Sequence, residues 1–386
     1  MRICIVYDCL FPNTVGGAER WYRELALQLT ATGHEVTYLT RKQWEDGESP
    51  DLPGVRVVAV SAGGPLYSDD GRRTIGPPLR FGFGVLKHLL RNRGGYDAVH
   101  LCSFPYFSLL AARLGLAGTG VRIGVDWFEV WTLEYWRGYL GRAGGRIGWL
   151  VQRLCARLTP QAFVFSDVHA QRLQREGLRR PARRLGGLYR GPLEPHPTAG
   201  ERAPLVVFAG RHIPEKRAEL VPAAVATARA EIPELRGMVL GDGPERERVL
   251  AAIAAAGVDG AVEAPGFVTA DEVSDALSGA SCMLLPSSRE GYGMVVIEAA
   301  ALGTPSVVVA GADNAAAELV EEGVNGFVAA SADPAAIAAA IVACHAGGEE
   351  LRERTASWFA RRAPELTVDG SAHAVAQWYA RPDGSG

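Results

Sequence analysis

Two carboxylates, Glu290 and Glu298, bracket seven residues in the segment Glu290-Gly-Tyr-Gly-Met-Val-Val-Ile-Glu298. The run before them, residues 281–289, reads as a buried strand ending in a Pro/Ser loop. The run after, Val295 to Gly303, reads as a short helix that closes at a glycine. Glu290 is therefore expected in a loop at a helix N-terminus, with Glu298 about two turns further on. The exposed amides of Gly291, Tyr292, Gly293, Met294 and Val295 would form an anion site. A carboxylate beside a phosphate-binding turn, with a second in reach of polyol hydroxyls, points to sugar-nucleotide chemistry. Complementing the helix dipole would explain Glu290. It explains Glu298 poorly, because Glu298 interrupts an otherwise apolar helix.

Cations stand in a second segment, Gly210-Arg211-His-Ile-Pro-Glu-Lys216, directly after a strand pattern. A planar guanidinium and a compact ammonium suit a pyrophosphate whose departing charge must be neutralised. Solvated surface cations are the alternative. Gly16-Gly17-Ala-Glu-Arg follows the first strand, where small residues let backbone amides approach a phosphate; a tight strand-to-helix turn reads equally well. Gly241-Asp-Gly-Pro244 is strong turn chemistry. The backbone of Gly266, Phe267 and Val268, after another strand, could meet a flat base edge to edge, or be only a loop.

These segments need strands to end beside them. Apolar runs at Ile3–Tyr7, Glu35–Leu39, Val55–Val60, Ala98–Leu101 and Arg122–Val125 alternate with helical patterns at Ala18–Leu29, 79–92 and 106–114. Alternation of this kind predicts a parallel sheet covered on both faces. Residues 186–204 are rich in Gly and Pro and read as a linker, after which the alternation restarts. Strands are expected at 205–208, 237–240, 262–264, 282–285, 304–309 and 326–328, and helices at 217–231, 244–256 and 270–278. The fold class is thus α/β, with two Rossmann-like doubly wound domains and a ligand cleft between their sheet edges. Boundaries fall at 1–190 and 191–365, with a final segment 366–386 whose helix could cross back to the first domain.

Composition narrows the function class. A net charge of −3 gives no reason to expect nucleic acid. The six cysteines, Cys4, Cys9, Cys102, Cys155, Cys282 and Cys344, show no metal-ligand spacing, which fits a reduced, cytoplasmic setting. The apolar stretch Met294–Ala310 is too short to span a membrane.

Taken together, Gly-Arg-x4-Lys, Gly-Asp-Gly, Pro-Gly-Phe-Val and Glu-x7-Glu resemble, in this order, the retaining glycosyltransferases of family 4, which have a GT-B fold. The resemblance implies that Arg211 and Lys216 hold the donor diphosphate and that Gly266, Phe267 and Val268 read the base. It implies that Glu290 contacts the transferred sugar, that Glu298 binds the ribose hydroxyls, and that Gly16 and Gly17 lie by the phosphates. The donor implied is a UDP-sugar, with a GDP-sugar second, and the acceptor a sugar, a lipid-linked glycan or a small molecule attacked through oxygen, nitrogen or sulfur. No cofactor and no metal is expected. Arg211, Lys216 and helix termini would do the work of a divalent cation, and the lone aspartate pair, Asp69-Asp70, is far from any strand end. A sugar-nucleotide epimerase and a non-catalytic nucleotide-binding subunit are the competing readings.

One position departs from the family. Many relatives carry a histidine where this chain has Cys102, and here His100 stands two residues earlier. Asp126, at the end of a strand, is a candidate for acceptor binding or deprotonation, or else a helix cap. The aromatic run from Trp127 to Trp136, with Glu129 inside it, is either an acceptor platform or core. Residues 137–190 hold many arginines against Asp167 and Glu176, so they form either a contact with an anionic membrane or a solvated face.

Overall fold

The computed structural model describes residues 1–14, 16–45, 47–48, 50–64, 74–195 and 204–380; the Asp69-Asp70 pair and the 196–203 part of the Gly/Pro-rich stretch lie outside them. The chain divides into two compact units, Met1–Leu188 with the described part of Val368–Gly386, and Tyr189–Thr367.

Among the described residues the first unit holds seven strands: β1 (Arg2–Val6), β2 (Glu35–Arg41), β3 (Val55–Ser61), β4 (Ala98–Cys102), β5 (Arg122–Trp127), β6 (Gln161–Val164) and β7 (Arg183–Arg184). They lie in the order β3-β2-β1-β4-β5-β6-β7, all parallel. The order reverses between β1 and β4, as in a doubly wound sheet. Its helices are α1 (Gly17–Ala31), α2 (Gly76–Arg91), α3 (Phe107–Gly115), α4 (Leu133–Leu158) and α5 (Asp167–Arg175).

Strand pleating sorts this unit's residues into two faces, because successive side chains point opposite ways. Val99, Leu101, Val125 and Trp127 share a core with Phe81 and Val85 of α2, Leu109 of α3, Trp136 and Cys155 of α4 and Leu173 of α5. His100, Cys102, Gly124 and Asp126 therefore point to the other face. The register pairs His100 with Gly124 and Cys102 with Asp126.

The second unit repeats the plan. Strands β8 (Leu205–Ala209), β9 (Arg236–Leu240), β10 (Val262–Gly266), β11 (Cys282–Leu285), β13 (Ser306–Val309) and β15 (Gly326–Ala329) lie in the order β10-β9-β8-β11-β13-β15. A separate pair joins β12 (Arg289–Glu290) to β14 (Asp313–Asn314). The helices are α6 (Val221–Ala228), α7 (Arg246–Ala256), α8 (Ala270–Gly279), α9 (Met294–Ala301) and α10 (Pro334–Leu366), the last broken at Gly348. The helix expected over 217–231 is shorter than that. Arg217 is left-handed, with φ 50°, and separates two 3-10 turns, Pro214–Lys216 and Ala218–Leu220, from α6. Pro222 sits in the first turn of α6, where a missing N–H costs nothing.

The chain then returns. Helix α11 (Val368–Ala380) packs with α1 in the first unit, and the Gln28 amide donates to Asp369 at 2.6 Å.

Candidate functional site

In the second unit, Lys216 and Glu290 come together. Lys216 Nζ donates to Glu290 Oε1 at 2.5 Å, and Ser287 Oγ donates to the same oxygen at 2.7 Å. Both carboxyl partners are fixed by backbone. The Glu215 carbonyl accepts from the Ser288 N–H at 2.8 Å and the Ser288 hydroxyl at 3.2 Å, and Arg289 Nη2 reaches Glu215 Oε1 at 3.3 Å. These bonds zip the loop after β8 to the loop after β11. Asn314 adds a brace by donating to the Ser287 and Val309 carbonyls. Glu290 is thus on the two-residue strand β12, not in the helix-start loop that the spacing predicts. Glu290 is nearly buried and Lys216 is about three-quarters buried, so their attraction is only partly screened.

Arg211 is exposed at the end of β8, on the same loop as Lys216, and has no ion pair among the described residues. Its neighbour His212 is fully buried, and neither ring nitrogen meets a hydrogen-bond partner among the described residues. Burial, then the nearby Arg246 guanidinium, hold its pKa below the ordinary value.

The Gly241-Asp-Gly243 turn supports this loop. The His212 N–H donates to the Asp242 carbonyl at 2.8 Å, and the Glu245 N–H donates to the His212 carbonyl at 2.9 Å. Gly241 and Gly243 have φ of 121° and 154°, and a Cβ at either would run into the Gly210 or the His212 carbonyl. Side chains are excluded there by close backbone approach as well as by conformation. The Gly241 N–H donates to the Gly266 carbonyl at 2.8 Å, and Arg246 Nη2 donates to the Ala264 carbonyl at 3.0 Å. So the Gly266-Phe267-Val268 segment is tied to the same assembly, with Phe267 84% exposed at its tip.

Gly291 and Tyr292 lead from β12 to the left-handed Gly293, which caps α9 ahead of Met294 and Val295. Glu298 is just over one turn into α9, closer to its start than the spacing predicts, and is half-buried. Tyr189 lies near it: burial, then the Glu298 charge, raise the Tyr189 pKa.

In the first unit, Gly16 precedes α1 and Gly17 opens it. Glu19 folds back so closely that a Cβ on Gly16 would meet its carboxylate, and the Tyr7 hydroxyl donates to Glu19 at 3.3 Å. Asp126 is fully buried. Its Oδ2 accepts from Trp21 Nε1 at 2.6 Å and from His100 Nε2 at 2.9 Å. The Tyr22 hydroxyl faces the same carboxylate, and burial followed by that charge pushes its pKa well above the ordinary value. Asp126 is not a helix cap, because it lies inside β5. On the far side of His100, Nδ1 meets the Tyr379 hydroxyl of α11 at 3.1 Å, and that hydroxyl donates to the Val99 carbonyl at 3.1 Å.

The acceptor platform needs correcting at Trp127. That ring is fully buried on the α2–α5 face, opposite Asp126, and its Nε1 donates to Thr159. No sugar can stack on it. Cys102 is also buried, and burial first of all pushes its thiol far above the usual range. Glu129 accepts from Trp131 Nε1 at 2.8 Å, and Trp131 packs against Tyr135 and Tyr139 at 4.7 and 5.4 Å between centroids. Ser287, Glu215, His212, Arg246 and Trp21 are brought to these sites by the fold and stand outside the motifs' named positions. Only Ser287 carried a signal, a hydroxyl three residues before Glu290.

Residues 16–185 match the family model described as "Glycosyl transferase 4-like domain", and residues 194–357 match "Glycosyl transferases group 1". A D-inositol 3-phosphate glycosyltransferase of Streptomyces scabiei is 31% identical over 409 residues, covering 95% of this chain and 87% of its own. The protein of the same name from Thermobispora bispora is 27% identical, covering 86% of this chain and 82% of its own. Among solved structures, sucrose-phosphate synthase from Thermosynechococcus elongatus superposes with a TM-score of 0.77 at 19% identity, covering 98% of both chains. Anabaena HepE in complex with UDP and glucose does so with a TM-score of 0.73 at 17% identity, covering 99% of this chain and 100% of its own. These two likenesses place both units in the GT-B fold.

Proposed function

The chain belongs to the family 4 glycosyltransferases, and from that premise we propose that it is a retaining hexosyltransferase using a UDP-sugar donor. The observation that carries this reading is the Lys216–Glu290 pair, an ammonium and a carboxylate held together by Ser287 and the Glu215–Ser288 zipper. Donor binding gives Lys216 and Arg211 to the diphosphate and frees Glu290 to accept from the hexose hydroxyls. The acceptor hydroxyl attacks the anomeric carbon on the face that the diphosphate leaves. The new C–O bond forms as the old one breaks, the electron pair departs with the nucleoside diphosphate, and the acceptor proton passes to the departing phosphate oxygen. Stabilising that developing charge is the main catalytic contribution. The reading assigns it to Arg211 and Lys216 and not to a divalent cation, so activity should survive EDTA. Glu298 would hold the ribose hydroxyls, and Gly266, Phe267 and Val268 the base.

Support for uridine comes from the HepE structure with UDP and glucose. For the acceptor, the 31% identical relative directs the first trial to an inositol phosphate. The protein is taken to work in the cytoplasm. The test is a thermal-shift series with UDP, GDP, ADP and dTDP, followed by turnover of the matching sugar nucleotide with inositol phosphate and simple glycan acceptors. UDP should raise the melting temperature most, and the product should keep the donor's anomeric configuration by NMR. Stabilisation by GDP alone, or an inverted product, would overturn the respective part.

A further inference from the structure

We infer that the outer surface of the α2–α3–α4 layer in the first unit is a docking face for an anionic lipid surface. These helices share one core with the sheet through their inner stripes. Their outer stripes are apolar as well. Leu79, Phe83 and Leu90 of α2 are exposed, Phe83 by 69%, and so is Leu114 of α3. Helix α4 breaks at Gly141; Leu140 is exposed before the break, and Ile147, Leu150 and Leu154 are exposed after it at steps of three and four, Ile147 by 63%. The other exposed large apolar side chains among the described residues, apart from Ile75 just before α2, are Met1, Leu193, Leu250 and Phe267, each standing alone elsewhere. Single exposed apolar residues are ordinary, whereas a stripe repeated on neighbouring helices marks an interaction face.

Charge decides the occupant. Helix α2 carries Arg80, Lys87 and Arg91 with no carboxylate, and α3 carries Arg113 with none. Helix α4 carries five arginines against Glu134 alone, in a chain whose net charge is −3. Arg137, Arg142, Arg146 and Arg157 are exposed beside the apolar stripe. Two copies of this face would set arginine against arginine, so a second copy of the chain is disfavoured. A layer with exposed apolar tips and flanking guanidiniums fits the boundary of an anionic bilayer, where arginine stems lie along the apolar region and their heads meet phosphates. No described helix is long and apolar enough to cross a membrane, so this contact is one of lying on the surface. The face is on the opposite side of the sheet from His100 and Asp126, so the inference stands apart from the donor chemistry.

The experiment is flotation of the full chain with phosphatidylcholine vesicles, with and without phosphatidylglycerol. Binding should be at least about tenfold stronger to the anionic vesicles and should fall at high salt. Phe83→Ser with Ile147→Ser should reduce it strongly at unchanged melting temperature. Arg142→Glu with Arg146→Glu should lower it by more than about tenfold while leaving UDP-induced stabilisation intact. Absence of flotation with anionic vesicles, or equal binding to neutral ones, would overturn the inference. So would a solution dimer that Phe83→Ser dissociates.

Discussion

Lys216 and Glu290 are separated by 74 positions in the chain, yet Nζ stands 2.5 Å from Oε1, and that oxygen also takes the Ser287 hydroxyl. Under the proposed function a donor diphosphate would draw Lys216 away from this pair, so the lysine would serve two states. Lys216→Ala is expected to lower kcat by about 10²–10³, the worth of a lost charge stabiliser at a leaving group. It also leaves Glu290 with one neutral donor, at a cost of about 1–3 kcal/mol in unfolding free energy. Steady-state kinetics with UDP-sugar and a urea melt read the two separately. A near-normal kcat would remove Lys216 from the leaving-group role.

Glu298 is half-buried on α9, beside Tyr189. If it accepts from ribose hydroxyls, Glu298→Ala should weaken UDP binding by about 1.5–3 kcal/mol, roughly ten- to hundredfold. Calorimetric titration with UDP measures this directly, and an unchanged Kd would exclude the contact. kcat at saturating donor should move much less, because ribose contacts are made equally in the ground and transition states.

Both sheets were legible because parallel strands are buried on two faces and so read as continuous apolar runs such as Ile3–Val6 and Cys282–Leu285. The strand pair β12–β14 was not, because two residues carry no period and exist as strands only through tertiary pairing. Nor was the contact between Lys216 and Glu290, which depends on the bonds from Ser288 to the Glu215 carbonyl. Trp127 belongs to the core and not to an acceptor platform for a reason the pleat makes plain. The strand runs on to Trp127, two residues past the predicted end, and neighbours within one strand face opposite ways. The Gly241-Asp-Gly243 segment looked like a bare turn because its function lies in what it touches, the backbone of Gly210 and His212.

Gly124 is where the last helix meets the first sheet. A Cβ there would lie 2.6 Å from the Tyr379 hydroxyl, 2.9 Å from Phe163 and 3.1 Å from His100. Gly124→Ala is therefore expected to destabilise the protein by about 1–3 kcal/mol through overpacking. Tyr379→Phe removes the nearest atom, so the double variant should recover part of that loss, a coupling that a double-mutant cycle of chemical melts can measure. Strict additivity would mean that the two residues do not share the strain.

His212 gives the stability a pH dependence of known sign. Its ring is fully buried, and burial together with Arg246 lowers its pKa from the ordinary 6.5. The unfolded chain then binds the proton more readily than the folded one. The stabilisation is complete above the unfolded value of 6.5 and is lost as pH falls below it toward the depressed folded value. The melting temperature should accordingly fall between about pH 7.5 and pH 5. His212→Leu keeps an apolar filler, removes the titration, and leaves no ring nitrogen in want of a partner. It should flatten that slope and be tolerated at neutral pH, since replacing an unpaired buried polar group by an apolar one of similar size costs little. Scanning calorimetry of the two proteins across that range is the measurement, and equal slopes would show that the lost stability belongs to other groups.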